Sequence, residues 1–300
     1  GTDLVYKYAE EDQLPLGFVI NHIDREKADF EKMVEELKEL YGNAAVPFMI
    51  PVTTGANFAQ VADVISQKIY TFSVDGKGSM SSEELSGDIK DKVESLREEL
   101  VEAVAESDEE LLEKFFDAGE LTEEEFINGI NKAIVTRQLF PIFAVSAFLN
   151  VGTGALLESL IKYGPSPDQL LPVKATQDGK EIEVKIDENE KTSVFVFKTS
   201  AEAHVGELSI FKVMTGTLSG GMELQNTKSG KSEKFSQIYV LNAKEKAEVG
   251  HLHAGDIGTV TKLKNTHTTD TLCEKGMKIK YPVIEYPLPV ISEADRKSVV

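Results

Sequence analysis

Long apolar runs are missing from this 300-residue chain. The longest, Leu139 to Leu149, is interrupted by Pro141 and Ser146 and is too short to span a bilayer. No secretory signal is visible at the N-terminus. Cysteine is nearly absent. Cys273 stands alone, so no internal disulfide can form, which fits a reducing cytosol. There is no internal repeat and no low-complexity tract. Basic charge is scarce in one part only: residues 1–172 carry 14 basic and 33 acidic side chains, whereas residues 173–300 carry 18 of each. Within the first part, 81–126 alone holds 18 acidic and 4 basic residues. That segment would be repelled by a phosphate backbone, which argues against a nucleic-acid contact there. It suits a basic protein partner or a well-solvated helical face.

The length allows two domains, and the apolar share of 41% is ordinary for a globular chain. Residues 17–21 read as a buried strand. Residues 26–41 read as a helix, with Phe30, Met33, Val34, Leu37 and Tyr41 at helical spacing and Gly42 as its stop. Residues 45–52 form a further strand candidate, 58–72 a mixed segment, and Asp75-Gly76-Lys77-Gly78-Ser79 a turn. A long charged helical region is expected over 81–118. Thr122 and Glu125 form a capping box that opens another helix. Residues 139–145 read as a central strand. A short helix over 152–163 is expected to turn Leu156, Leu157, Leu160 and Ile161 inward. Pro165-Ser166-Pro167 then reads as a linker. Beyond it the period becomes alternating, with strands at 192–198, 206–215, 222–226, 235–241 and 258–263 separated by Gly-rich turns. This pattern suggests an antiparallel barrel, closed or nearly so.

Two short strings carry chemistry. Asn21-His22-Ile23-Asp24 follows the apolar Phe18-Val19-Ile20, at the strand end where open α/β sheets bind ligands. An Asp carboxylate there can accept both N–H donors of a guanine edge, a pair that adenine does not present. Ser146-Ala147-Phe148 follows the second apolar run. The competing reading makes Asn21 and Asp24 caps of the helix beginning near Glu26, and Ser146 a cap or turn residue. His251 and His253 alternate onto one strand face. Two imidazoles can bind a metal, but no third ligand is evident in the sequence.

The order and spacing of Phe18-Val19-Ile20-Asn21-His22-Ile23-Asp24-Arg25, Ser146-Ala147-Phe148-Leu149-Asn150, Tyr163-Gly164-Pro165-Ser166-Pro167, Thr215-Gly216-Thr217-Leu218, Ala254-Gly255-Asp256-Ile257 and Asp270-Thr271-Leu272-Cys273 resemble bacterial elongation factor G and its close paralogues. The resemblance implies an α/β fold, a partial P-loop GTPase-type domain with an α+β insert, followed by an all-β antiparallel barrel. Residues 1–172 look like the second half of the GTPase domain, with the insert at about 42–137. Residues 173–290 look like the barrel, and 291–300 like the start of a truncated further domain. Asn21, His22 and Asp24 match the guanine-specificity motif, and Ser146, Ala147 and Phe148 the loop closing over the base, with Ala147 offering a backbone N–H.

The implied function is that of a GTP-binding translation factor promoting ribosomal translocation with GTP hydrolysis. The alternative is a ribosome-binding paralogue that does not depend on hydrolysis. The implied cofactor is GTP or GDP, with Mg²⁺ in the full-length protein. The implied partners are small-subunit ribosomal RNA at the barrel, with lysines such as Lys212, Lys228, Lys231 and Lys234 as contacts, and the ribosomal stalk protein at the acidic insert.

Two departures stand out. His22 replaces the usual Lys. In addition, no G-x-x-x-x-G-K-[ST] string occurs, so phosphate-binding, Mg²⁺-binding and catalytic residues are expected to lie outside this chain. Gly230-Lys231-Ser232 imitates only the tail of that string.

Overall fold

The computed structural model describes residues 1–73, 76–202, 206–243 and 245–285. Asp75 and the expected further domain at 291–300 lie outside the described residues. The chain divides into two compact units, Gly1–Gln169 and Leu170–Val300. The boundary falls just after the short 3₁₀ turn Pro167–Gln169 that follows the Pro-Ser-Pro string.

The first unit is a mixed α/β body. In chain order it runs α1 (Thr2–Glu11), β1 (Phe18–Ile20), α2 (Phe30–Tyr41), β2 (Ala45–Pro47), β3 (Met49–Pro51), β4 (Gln60–Asp63), β5 (Lys68–Phe72) and β6 (Met80–Glu84). It continues with α3 (Asp88–Glu106), α4 (Glu109–Ala118), α5 (Glu123–Val135), β7 (Phe140–Ala144) and α6 (Thr153–Tyr163). Strand β7 is central in a parallel sheet ordered β1-β7-β2. Its five residues are all buried, which accounts for the apolar character of the segment.

Residues 45–52, read as one strand from sequence, are two. Phe48 separates them and serves both sheets: its N–H donates to Ile142 O at 2.8 Å, and its carbonyl accepts from Val64 N at 2.9 Å. Strand β2 therefore belongs to the parallel sheet, and the antiparallel sheet β3-β4-β5-β6 begins only beyond it. β2, near the start of the insert expected at about 42–137, pairs with β7 in the parallel sheet. One continuous core spans both sheets, from Phe18 and Ile142 to Leu100, Val104 and Ile130.

Two other expectations are corrected. The region 81–118 is not helical throughout. Its first residues pair as β6 with β5, and Ser107 ends α3 before Asp108 caps α4 by accepting from Glu110 N and Leu111 N. Helix α6 buries Ala155, Ser159 and Tyr163, spaced i, i+4, i+8. Leu157, Leu160 and Ile161 are instead 60%, 51% and 84% exposed. An apolar stripe locates a face, but Ala155, Ser159 and Tyr163 define the side of α6 that fits against its own unit. The capping box at Thr122 and Glu125 is formed as read.

Asp63 closes the β4–β5 turn by accepting from Ile65 N at 2.9 Å and Ser66 N at 2.7 Å. Burial pushes its carboxyl above the ordinary value of 3.8, with the two amides and Lys162 pulling the other way. A raised native pKa means that the buried group contributes most at acid pH and loses that contribution as pH climbs through the raised value. Asp63→Asn keeps an acceptor for both amides and removes the charge. Denaturant unfolding at pH 7 should show the variant more stable than the parent, with the advantage shrinking toward pH 4. A variant weaker at both pH values would contradict this.

The second unit is antiparallel throughout. It comprises β8 (Val173–Gln177), β9 (Lys180–Val184), β10 (Ser193–Glu202), β11 (Gly206–Thr215), β12 (Thr217–Ser219), β13 (Met222–Asn226), β14 (Ser232–Phe235) and β15 (Ile238–Asn242). It ends with β16 (Glu245–Val249), β17 (His251–His253), β18 (Ile257–Thr261), β19 (Thr271–Cys273) and β20 (Ile279–Lys280). Eight strands form a half-barrel ordered β14-β13-β19-β10-β11-β18-β15-β16, accompanied by the pair β12-β17 and the three-stranded sheet β20-β8-β9. Its core is separate, built on Val194, Val213, Leu224, Phe235 and Leu272, with Phe211 edge-on to Phe235 at 5.4 Å. Cys273 is buried there; its thiol donates to Met277 O, and burial pushes its pKa up to about 11. No helix among the described residues is long and apolar enough to cross a membrane.

Candidate functional site

The two chemical strings of the first unit hang from neighbouring parallel strands. Asn21–Asp24 leaves the end of β1 and Ser146–Phe148 the end of β7, which pair in register from Phe18↔Ile142 to Ile20↔Ala144. The pairing runs past the strand ends. Val145 N donates to Ile20 O at 3.0 Å, and Ile23 N to Val145 O at 3.3 Å. Ile23 is buried and anchors the first loop; its carbonyl accepts from Gly55 N at 2.8 Å.

Asn21 joins the loops. Its Oδ1 accepts from His22 N at 2.7 Å and from Ala147 N at 3.0 Å, across 126 positions of sequence. The Ala147 amide is therefore directed to Asn21 rather than standing free. His22 has φ +65°, which turns the chain at that point and leaves the residue exposed. Ser146 is fully buried. Its N–H and carbonyl exchange hydrogen bonds with Val151, and its Oγ accepts from Leu149 N at 3.2 Å. Phe148 is 77% exposed.

Asp24 is mostly buried. Its Oδ2 lies 3.8 Å from Arg25 Nε, and its Oδ1 has no donor. A buried carboxylate oxygen without a partner is costly, and such groups in folded proteins call for an explanation. Neither Asn21 nor Asp24 caps the following helix. Asp29 does, accepting from Lys32 N at 3.0 Å, and α2 begins at Phe30 rather than near Glu26.

Three supporting positions were given no role in the site from sequence. Asn150 donates to Gly76 O at 3.1 Å and accepts from Thr153 Oγ1, holding the second loop from behind. Gly152 has φ +80°, and a Cβ there would sit 2.6 Å from Ala144 O. Gly55 brings the segment after β3 against Ile23. A Gly two residues beyond a polar loop is a legible signal; the Asn150 contact is not, because its partner lies 74 positions away.

In the second unit, residues 191–275 match the family model for elongation factor G domain 2. Over these residues the half-barrel is similar to elongation factor G domain 2. With the α/β unit that precedes it, the chain is elongation factor G-like. Among solved structures, it is similar to ttk003000868 from Thermus thermophilus, with a TM-score of 0.78, 25% identity and 91% of this chain covered. The match takes up 38% of that protein's length.

Within domain 2, Gly230-Lys231-Ser232 belongs to a turn organised by Asn226. Asn226 Oδ1 accepts from Lys228 N at 2.9 Å and Ser229 N at 3.0 Å, and Gly230 N donates to the Asn226 carbonyl at 2.8 Å. The string therefore has a structural role in the β13–β14 connection. Lys231 Nζ donates to Asn265 Oδ1 at 2.7 Å, and Lys228 Nζ lies 3.8 Å from Asp270 Oδ1. Lys212 is half-buried, and that burial lowers its pKa. Of these lysines, Lys228 and Lys231 thus have protein partners.

Proposed function

We propose that Asn21, His22 and Asp24, together with Ser146, Ala147 and Phe148, form the guanine-recognising half of a GTP/GDP site, and that the chain is part of a longer translation elongation factor G-like protein of the cytoplasm. The observation that carries this reading is the double acceptance by Asn21 Oδ1, which joins the two strand-end loops into one frame. The unpartnered Asp24 Oδ1 supports it, since a guanine edge supplies N–H donors of the kind a carboxylate lacks here. The 300 residues hold no phosphate-cradle motif, so this chain contributes recognition of the base, and the groups that hold phosphate and Mg²⁺ belong elsewhere in the protein.

The activity proposed for the whole protein is ribosomal translocation with GTP hydrolysis. Its proposed partners are small-subunit ribosomal RNA at domain 2 and the stalk protein at the acidic helices α3 and α4. A second reading, a ribosome-binding paralogue independent of hydrolysis, is favoured by His22. An imidazole on a short stem cannot extend along a base as a Lys does.

Asp24→Asn in the full-length protein tests the site. An amide offers guanine one acceptor and sets a donor against its exocyclic amine. GDP affinity should fall by roughly 10- to 100-fold, as expected for losing hydrogen bonds to a charged group worth about 1.5–3 kcal/mol. Xanthosine diphosphate, which carries a carbonyl in place of that amine, should bind better than it does to the parent. Unchanged GDP affinity would reject the assignment.

A further inference from the structure

Strand β17 carries His251 and His253 on one face, with Leu252 buried on the other. Both histidines are exposed, and their ring centroids lie 5.0 Å apart with the planes at 70°. The neighbouring strand β12 places Ser219 opposite His251 and Thr217 opposite His253, small side chains beside the two rings. His253 Nδ1 lies 3.4 Å from Glu188 Oε2 and 3.3 Å from Thr217 Oγ1. The backbone N–H of His253 donates to Asp256 Oδ2 at 2.8 Å, which fixes the end of the strand.

We infer that His251 and His253 form a two-imidazole site for a borderline divalent transition ion such as Ni²⁺, Cu²⁺ or Zn²⁺, with water completing the coordination sphere. A metal–nitrogen bond of about 2.0–2.1 Å puts the ion about 3.2 Å from each ring centre. Two rings 5.0 Å apart then subtend about 100° at the ion, between the square-planar and tetrahedral angles. Glu188 acts through His253 rather than as a ligand. A carboxylate beside Nδ1 holds the proton there and leaves the Nε2 lone pair for the metal, the usual arrangement behind a ligating imidazole. Among the described residues no group of three or more His, Cys, Asp or Glu is placed to hold a metal, so the site is bidentate and open. Imidazole suits Ni²⁺, Cu²⁺ and Zn²⁺, whereas Mg²⁺ and Ca²⁺ require oxygen donors.

Calorimetric titration of the whole chain with NiCl₂ and ZnCl₂, with MgCl₂ as control, tests the site. One Ni²⁺ or Zn²⁺ ion should bind per chain in the micromolar range, with no binding of Mg²⁺. Imidazole resonances of His251 and His253 should move or broaden, while those of His22 and His267 should not. His251→Ala and His253→Ala should each weaken binding at least tenfold. Glu188→Gln, which leaves both ligands in place, should weaken it by about tenfold, as loss of such outer partners does. All three positions are at the surface, and circular dichroism confirms that the variants are folded. Full binding by both His251→Ala and His253→Ala, or no binding by the parent below millimolar metal, would overturn the site. Unchanged affinity in Glu188→Gln would overturn the orienting role given to that residue.

Discussion

Asn226→Leu should cost the second unit about 3–5 kcal/mol, the range for breaking a buried polar network around a charge. Asn226 is fully buried, and its side chain uses both ends. Oδ1 organises the 228–230 turn, while Nδ2 donates to Asn265 O at 3.0 Å and to Asp270 Oδ2 at 2.9 Å. Asp270 is itself buried, and its Oδ1 has no hydrogen-bond donor. Leucine has a similar volume, so the loss is not one of packing. It leaves Lys228 N, Ser229 N and Asn265 O without their partner, and Asp270 Oδ2 with His267 N alone at 2.9 Å. Each stranded group carries a desolvation cost of about 1–3 kcal/mol unless water reaches it. Asn226→Asp is the informative companion. It keeps the acceptor for the turn but sets a second carboxylate against Asp270, so it should also destabilise the unit. Hydrogen exchange at amides of β13 and β19 measures both effects in the intact chain. Protection within about 1 kcal/mol of the parent for the leucine variant would show that Asn226 is not the hub it resembles.

Gly152→Val should destabilise the first unit by about 2–5 kcal/mol. A β-branched residue at positive φ is strained by about 1–3 kcal/mol, and overpacking adds a similar amount. At Gly152 the φ of +80° and the 2.6 Å approach to Ala144 O combine, and the atom in the way is backbone rather than a flexible side-chain end. Val145 Cα and Cγ1, both at 3.3 Å, close the remaining space. Relief has to come from moving β7 or the segment Ser146–Val151, whose ends are hydrogen-bonded to each other. The same substitution should therefore loosen the amide of Ala147 from Asn21. Thermal unfolding measures the first effect, and the exchange rate of the Ala147 amide measures the second. A melting temperature within two or three degrees of the parent would contradict the steric argument.

Much of this architecture was legible because the signals were local. The Thr122 and Glu125 capping box, the Gly42 stop and the buried β7 run each depend on residues within a few positions of one another. The loop strings Asn21–Asp24 and Ser146–Phe148 could be named from sequence, and the structure brings them together through Asn21 and Ala147. Distant partners decided the remainder. Residues 81–84 read as the start of a charged helix, yet they pair with β5, because edge-strand pairing overrides the weak helical preference of Ser-rich residues. The short strands β8, β9 and β20 were missed; they combine sequence neighbours with a strand about a hundred positions later. Helix α6 shows the limit of periodicity. Leu157, Leu160 and Ile161 form a face, but only the fold reveals that Ala155, Ser159 and Tyr163 are the residues that fit inward.

The pairing of β1 with β7 has a thermodynamic consequence for any ligand that engages both strand-end loops. Folding of the sheet has already set the spacing between those loops, and the bonds at Ile20, Ile23 and Val145 extend that frame past the strand ends. Little backbone entropy remains to be lost on association, because the loops are preorganised before a ligand arrives. The heat-capacity change of such an encounter should then report the surface of the ligand itself, without the large negative contribution of a segment that folds as it binds.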